Sequence, residues 1–158
     1  MNIEPYVDHD REDVVQLSLR AWAPVFRSIE GAMDPEVFRE MIPDWRQVQQ
    51  KAVEAACADE EISVFVARLD SQVAGFVALR IHAEDRMGEI HMVAVDPGFQ
   101  RRGIARSLTE YALRWFEEAG MTVAMVETGG DPGHEPARRT YESSGFRLLP
   151  IARYFKKL

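Results

Sequence analysis

A single cysteine, Cys57, stands in 158 residues, and the four histidines fall in no Cys/His cluster with zinc-ligand spacing. Neither a disulfide framework nor a structural zinc is therefore expected, and no metal site is assigned. Long apolar runs are also missing: the longest, Val73 to Leu79, is the size of a strand, far short of the roughly 18 residues that a membrane span requires. The stretch Met1 to Asp8 lacks the basic start and apolar core of a secretory signal. These absences predict a cytoplasmic location and no membrane partner. No repeat, low-complexity segment or Gly/Ser/Pro-rich linker long enough to separate domains is visible. Positive charge is in deficit too, with 19 Lys and Arg against 26 Asp and Glu and a net charge of −7. That argues against the basic face on which nonspecific nucleic-acid binding depends.

What is present is the composition of one ordinary folded domain, 46% hydrophobic and 28% charged. A single domain over 1–158 is predicted, divided into a helical region over 1–60 and a sheet-bearing region over 61–158. The charge follows that division. Residues 1–60 hold 13 acidic and 6 basic side chains, whereas residues 61–158 hold 13 of each. Within the second region, Pro136 to Leu158 carries six basic residues and one acidic one. One end of the molecule is suited to a cation and the other to an anion.

The periodicity predicts a strand over Asn2–Val7, then a helix from Asp10, as N-cap, to about Phe26. A second helix starts at Asp34-Pro35-Glu36, breaks at Pro43 and resumes from Asp44 towards Ala58. Ser63–Leu69, Val73–Ile81 and Met87–Val95 read as an antiparallel meander. Gly103–Ala119 reads as an amphipathic helix with Ile104, Leu108, Tyr111 or Ala112, and Trp115 inward, stopped by Gly120. Thr122–Thr128 returns as a strand and Pro136–Ser144 as a helix. Arg147–Leu158 is expected to close the sheet as a strand pair interrupted by Pro150.

The chemistry concentrates at one junction. Val93-Ala94-Val95-Asp96-Pro97-Gly98-Phe99-Gln100-Arg101-Arg102-Gly103-Ile104-Ala105 is a strand, a turn and the start of a helix. The first N–H groups of a helix lack intrahelical partners and sit at the positive end of its dipole, so they can hold an anion if no side chain blocks the approach. Gly103 and Ala105 leave that approach open, and Arg101, Arg102 and Arg106 add positive charge. On the preceding strand, regular alternation places Glu89, His91, Val93 and Val95 on one face.

The combination of Gln100-x-x-Gly103-x-Ala105 after a strand with Tyr141-Glu142-Ser143-Ser144-Gly145-Phe146 at a later helix end resembles the GCN5-related N-acetyltransferase (GNAT) superfamily. The resemblance extends over nearly the whole chain, from Ile3-Glu4-Pro5 onward. It implies an α/β (α+β) fold whose central mixed, mostly antiparallel sheet splays at an acetyl-CoA cleft and is flanked by about four helices. It also implies acetyl-CoA as cosubstrate, held by Val93, Ala94, Val95, Gln100, Arg101, Arg102, Gly103, Ile104, Ala105, Arg106, Ala137 and Arg138. The implied activity is transfer of the acetyl group to a primary amine in a ternary complex. Glu89 or His91 would serve as base, the Val93 N–H would stabilise the oxyanion, and Tyr141 would act on the leaving thiolate. His134 stands where many members carry an asparagine that contacts the cofactor arm.

The acidic first region also holds Trp22, Phe26, Phe38 and Trp45, and carboxylates with aromatic faces suit a cationic amine. Trp22, Phe26 and Glu89 are therefore candidates for acceptor binding, with a polyamine, amino sugar or aminoglycoside-like compound as the expected partner. A protein lysine or N-terminal amine is the alternative acceptor, and a noncatalytic acyl-CoA sensor the alternative of another class. Cys57 reads as a helix residue rather than an acyl carrier. A homodimer is compatible with the resemblance, although no heptad or apolar patch in the sequence demands one.

Overall fold

The computed structural model describes residues 1–158. Its elements in chain order are β1 (Asn2–Pro5), α1 (Arg11–Ala32), α2 (Pro35–Met41), α3 (Trp45–Ala58), β2 (Ile62–Leu69), β3 (Gln72–His82), β4 (Met87–Val95), α4 (Ile104–Glu118), β5 (Val123–Val126) and α5 (Glu135–Ser143). Short 3-10 turns precede α1, α4 and α5. The strands form one sheet in the order β1-β2-β3-β4-β5. The first four are antiparallel, and β5 runs parallel to β4. No helix is long and apolar enough to cross a membrane.

Local chemistry explains most boundaries. Asp34 accepts from the N–H groups of Glu36 (2.9 Å) and Val37 (3.1 Å) to start α2, with Pro35 in its first turn. Asp44 does the same for α3 through Arg46 and Gln47. α1 runs beyond the predicted end at Phe26, through Pro24, to Ala32. Asp10 occupies its N-cap position but does not cap it. The Asp10 carboxylate is buried, accepts from the Val7 N–H at 3.2 Å, and pairs with Arg68, which also binds Glu4. That network ties β1 and the approach to α1 onto β2.

Each face of the sheet has its own core. On one, Ile104, Leu108, Ala112 and Phe116 of α4 pack on Phe65, Val77, Leu79, Ile90 and Val95. The spacing in α4 is four residues throughout, so the fully buried positions are Ala112 and Phe116, while Tyr111 and Trp115 flank Phe65. On the other, Val14, Val15 and Leu17 of α1 and Val53 of α3 meet Val66, Phe76 and Ala94.

Two expectations are corrected. First, the strand pairing slips between Ala78 and Leu79: Leu79 faces Ile90, Ala78 faces Met92, and His91 is the extra residue of a bulge. Alternation is broken there, so Glu89 shares a face with Met92, whereas Val93 and Val95 pack towards α4 on the other. Second, residues 147–158 form no strand. Pro150 removes a ladder donor, and β5 offers an edge of only four residues. The tail instead runs past Glu127, which takes Arg153 at 3.0 Å, to α2, where Glu40 takes Lys157 at 2.9 Å.

Gly88 gives α4 room on the sheet, since a Cβ there would stand 2.2 Å from the Phe116 ring. Gly88→Ala should cost about 1–3 kcal/mol through overpacking, and thermal denaturation should show a midpoint several degrees lower.

Candidate functional site

β4 and β5 pair only over Met87–Ile90 and Val123–Val126. From His91 to Val95, β4 continues without a strand partner on that side, so the sheet forks and leaves a row of backbone groups unpaired. Gln100 reaches back to the fork, donating from Nε2 to the Val95 carbonyl at 3.2 Å. α4 begins beside it. Its N-cap is Gly103, at φ +79°, and no side chain caps the first turn. This contrasts with the aspartates that cap α2 and α3. The amides of Ile104, Ala105 and Arg106 therefore point out of the helix start with their donors free. Nothing lies within 4 Å of where a Gly103 Cβ would be, so the approach is clear. Arg101, itself in the left-handed region at φ +61°, lies two residues before this glycine. Arg102 lies over Phe99, 5.5 Å from the ring centroid, and Arg106 is paired with Glu110 at 2.7 Å. Residues so arranged could hold a phosphate-like anion.

At the base of the fork, Glu89 lies between two imidazoles. His82 Nε2 is 2.6 Å from Glu89 Oε2, and His91 Nδ1 is 3.4 Å from Oε1. An ionised carboxylate only accepts, so each facing ring nitrogen carries the hydrogen and donates it. Burial pushes the Glu89 carboxyl up, but the hydrogen bonds and charge of His82 and His91 outweigh it and hold the group below the usual carboxylate range. The bulge at His91 sets this geometry, because the extra residue brings its ring back towards Glu89. His82 carries no mark in the sequence on its own; its signal is the tight β3–β4 hairpin, whose register pairs His82 with Met87 and sets Glu89 two residues farther along.

Tyr141 of α5 is buried, with its ring edge-on to Phe146 at 5.9 Å. Burial alone pushes its phenol up to about 12. The loop between β5 and α5 is organised by Asp131, a second residue unmarked in the sequence. Ser28 of α1 donates to Asp131 Oδ2 at 2.6 Å, and His134 Nδ1 lies 2.5 Å from Oδ1. The Gly133 N–H donates to Ser28 Oγ at 2.8 Å. Burial raises the Asp131 carboxyl, yet Ser28 and His134 together bring it below its ordinary value. Arg138 donates to the carbonyls of Gly129 (2.6 Å) and Asp131 (2.9 Å), so its guanidinium braces this loop, while Ala137 is half-buried beside it.

On the acidic side, Phe26 stacks on Trp45 with centroids 5.0 Å apart, and the Arg46 guanidinium lies 4.6 Å from the Trp45 centroid. Phe26 and Phe38 are buried, and Trp22 is half-buried against the α1/α3 core. Cys57 is half-buried, and burial pushes its thiol up, which keeps it protonated.

Comparison with known proteins places the chain among acetyltransferases. The model of the acetyltransferase (GNAT) family matches residues 26–146. The mycothiol acetyltransferase of Streptomyces coelicolor is 34% identical over 82 residues, covering 52% of this chain and 26% of that protein. The chain spans between about a quarter and a half of the length of the curated relatives it matches. Among solved structures, the aminoglycoside 6'-N-acetyltransferase AAC(6')-IG of Acinetobacter haemolyticus superposes with a TM-score of 0.70 at 18% identity, over 100% of this chain and 99% of that one. The ribosomal-protein-S18-alanine N-acetyltransferase of Escherichia coli gives 0.71 at 20% identity, over 96% and 81%.

Gly103→Val forces a β-branched residue to φ +79° and turns the first amides away. Coenzyme A should bind roughly 10- to 100-fold more weakly, the loss expected when hydrogen bonds to a charged group go, in isothermal titration on a variant whose circular dichroism is unchanged.

Proposed function

Because this chain belongs to the acetyltransferase (GNAT) family, we propose that it moves an acetyl group from acetyl-CoA to the primary amine of a small cationic molecule, by direct attack in a ternary complex. The observation that carries this reading is the meeting, at one fork, of an uncapped helix start, an unpaired strand edge and an imidazole held by a carboxylate. Acetyl-CoA supplies a thioester on a long arm that ends in a pyrophosphate. The amides of Ile104 and Ala105, with Arg101 and Arg102, would take the pyrophosphate, and the free edge of Val93 to Val95 would take the arm.

An alkyl amine has a pKa of about 10.4 and arrives protonated. Glu89, held below the ordinary carboxylate range, is a poor resting place for that proton. Imidazole is the side chain that changes charge nearest neutrality. With its Nδ1–H directed at Glu89, His91 has a lone pair on Nε2 for the task. The ammonium N–H bond breaks, the electron pair stays on the substrate nitrogen, and the proton bonds to Nε2. Glu89 orients the ring and stabilises the imidazolium that results. The Val93 N–H would donate to the thioester oxygen as it gains negative charge.

As the nitrogen bonds to the thioester carbon, the C=O pair moves to oxygen. On its return the C–S bond breaks, the sulfur leaves with the bonding pair and takes up the second nitrogen proton, and Tyr141 serves that sulfur as a hydrogen-bond donor. A phenol at about 12 does not give up its proton outright to a thiolate whose acid has a pKa of about 8.5. It remains a donor across the whole neutral range.

The acceptor assignment draws on the acidic first region, which would attract a cation, and on the names of relatives and neighbours, several of which refer to mycothiol or aminoglycosides. Thiol release from acetyl-CoA, measured against polyamines, amino sugars, aminoglycosides, lysine peptides and peptide α-amines, tests it. Turnover with one of the small cations is expected; turnover with peptides alone would reassign the acceptor, and coenzyme binding without amine-dependent release would make the protein a sensor. Tyr141→Phe should lower kcat about 10- to 100-fold and leave the Kd for coenzyme A unchanged.

A further inference from the structure

The Glu89 carboxylate makes its shortest contact with His82, at 2.6 Å, whereas its contact with His91 is 3.4 Å. His82 ends β3, opposite Met87, with about a third of its side chain exposed. No other side chain hydrogen-bonds Glu89. Arg80, its cross-strand neighbour, is turned to Asp59 at the end of α3, 2.8 Å away. The β5 residue in register with Glu89 is the uncharged Met125. The charged and titratable groups that act on Glu89 are thus His82 from β3 and His91 from its own strand.

We propose that His82 is a positioning residue of the transfer reaction: its Nε2–H fixes one oxygen of Glu89, so that the other stays turned to His91 and holds that ring with Nδ1 protonated and Nε2 open to the substrate. The proposal rests on the reading of His91 as the base and extends it to a third side chain on a different strand. The physical reason is division of labour between the two carboxylate oxygens. A carboxylate held by one donor can rotate about its last bond and present either oxygen. One held by a short second bond keeps a single orientation, and its charge is shared between two donors instead of falling on His91 alone.

Loss of His82 has a definite sign. Without its N–H, the whole carboxylate charge faces His91, the pair takes up a proton more readily, and the protonation midpoint shared by the two groups rises. The rise should be roughly half to one pH unit, the scale of one hydrogen bond to a charged group at a partly exposed position. His82→Gln keeps an N–H donor on a side chain of comparable reach, so it should restore most of the original midpoint.

The experiment follows the imidazole nitrogens by ¹H–¹⁵N long-range correlation in full-length protein labelled at histidine, between about pH 5 and 9. It compares wild type, His82→Phe and His82→Gln, and needs no acceptor. Expected are a neutral His91 ring with hydrogen on Nδ1 in the wild type, an upward shift of its midpoint in His82→Phe, and recovery in His82→Gln. A His91 midpoint and tautomer unchanged in His82→Phe would overturn the proposal, as would a shift that His82→Gln fails to reverse. The kcat/KM profile with acetyl-CoA and the best amine of the panel should show its acid limb displaced in the same direction, with KM for acetyl-CoA constant. His91→Gln separates the two readings. If that variant keeps full turnover, the base assignment falls. If it is inactive while His82→Phe keeps the wild-type profile, only the role of His82 falls.

Discussion

Two neighbouring strands that run in the same direction cannot be joined by a tight turn, so the chain leaving the end of β4 must return along a crossover before it enters β5. α4 is that crossover, and its first turn is thereby obliged to lie beside the end of β4. Because β5 is only four residues long and pairs with the first half of β4, the end of β4 that meets the helix is also the stretch without a partner. A strand edge and a helix start, both rich in unsatisfied amides, are brought together by one connection. Gly103 then keeps that place free of a capping side chain, and the apolar face of α4 anchors the helix on the sheet.

The charges around the fork are set in advance by their donors. Glu89 and Asp131 are both partly buried, and burial would neutralise them; instead His82 and His91 each hold one oxygen of Glu89, while Ser28, the Gly133 N–H and His134 hold those of Asp131, and each carboxylate stays on the acid side of its normal value. Tyr141 is the opposite case. It is buried with no donor or acceptor to stabilise the phenolate, so it is held neutral. Two carboxylates are thereby held as anions and one phenol as a neutral donor near neutral pH.

The local elements are legible in the sequence because local rules make them. Aspartate caps of α2 and α3, the proline at the start of α2 and the Gln100 to Ala105 segment all act within a few residues of themselves, and each lies where the sequence puts it, whereas the inward face of α4 ends on Phe116 and not on the expected Trp115. What is not legible depends on pairing between strands or between distant segments. The bulge at His91 arises from how β4 meets β3, so the even alternation expected for Glu89, His91, Val93 and Val95 has no local signal against it. His82 becomes relevant only once the hairpin register is known. Asp131 gains its role from Ser28, more than a hundred residues earlier. The tail fails as a strand pair for the same reason: its apolar residues suit a sheet, but no strand of sufficient length is there to receive them.

The bond between Ser28 and Asp131 has a wider consequence. α1 belongs to the acidic first region, and the loop organised by Asp131 leads directly into the helix that carries Tyr141. Ser28 thus ties α1 to that loop. Substitutions in α1 around Ser28 will therefore be felt at the start of α5, so the first helical region and the helix that carries Tyr141 are not independent parts of this protein. A change on either side of that bond must preserve it or be matched by a change on the other.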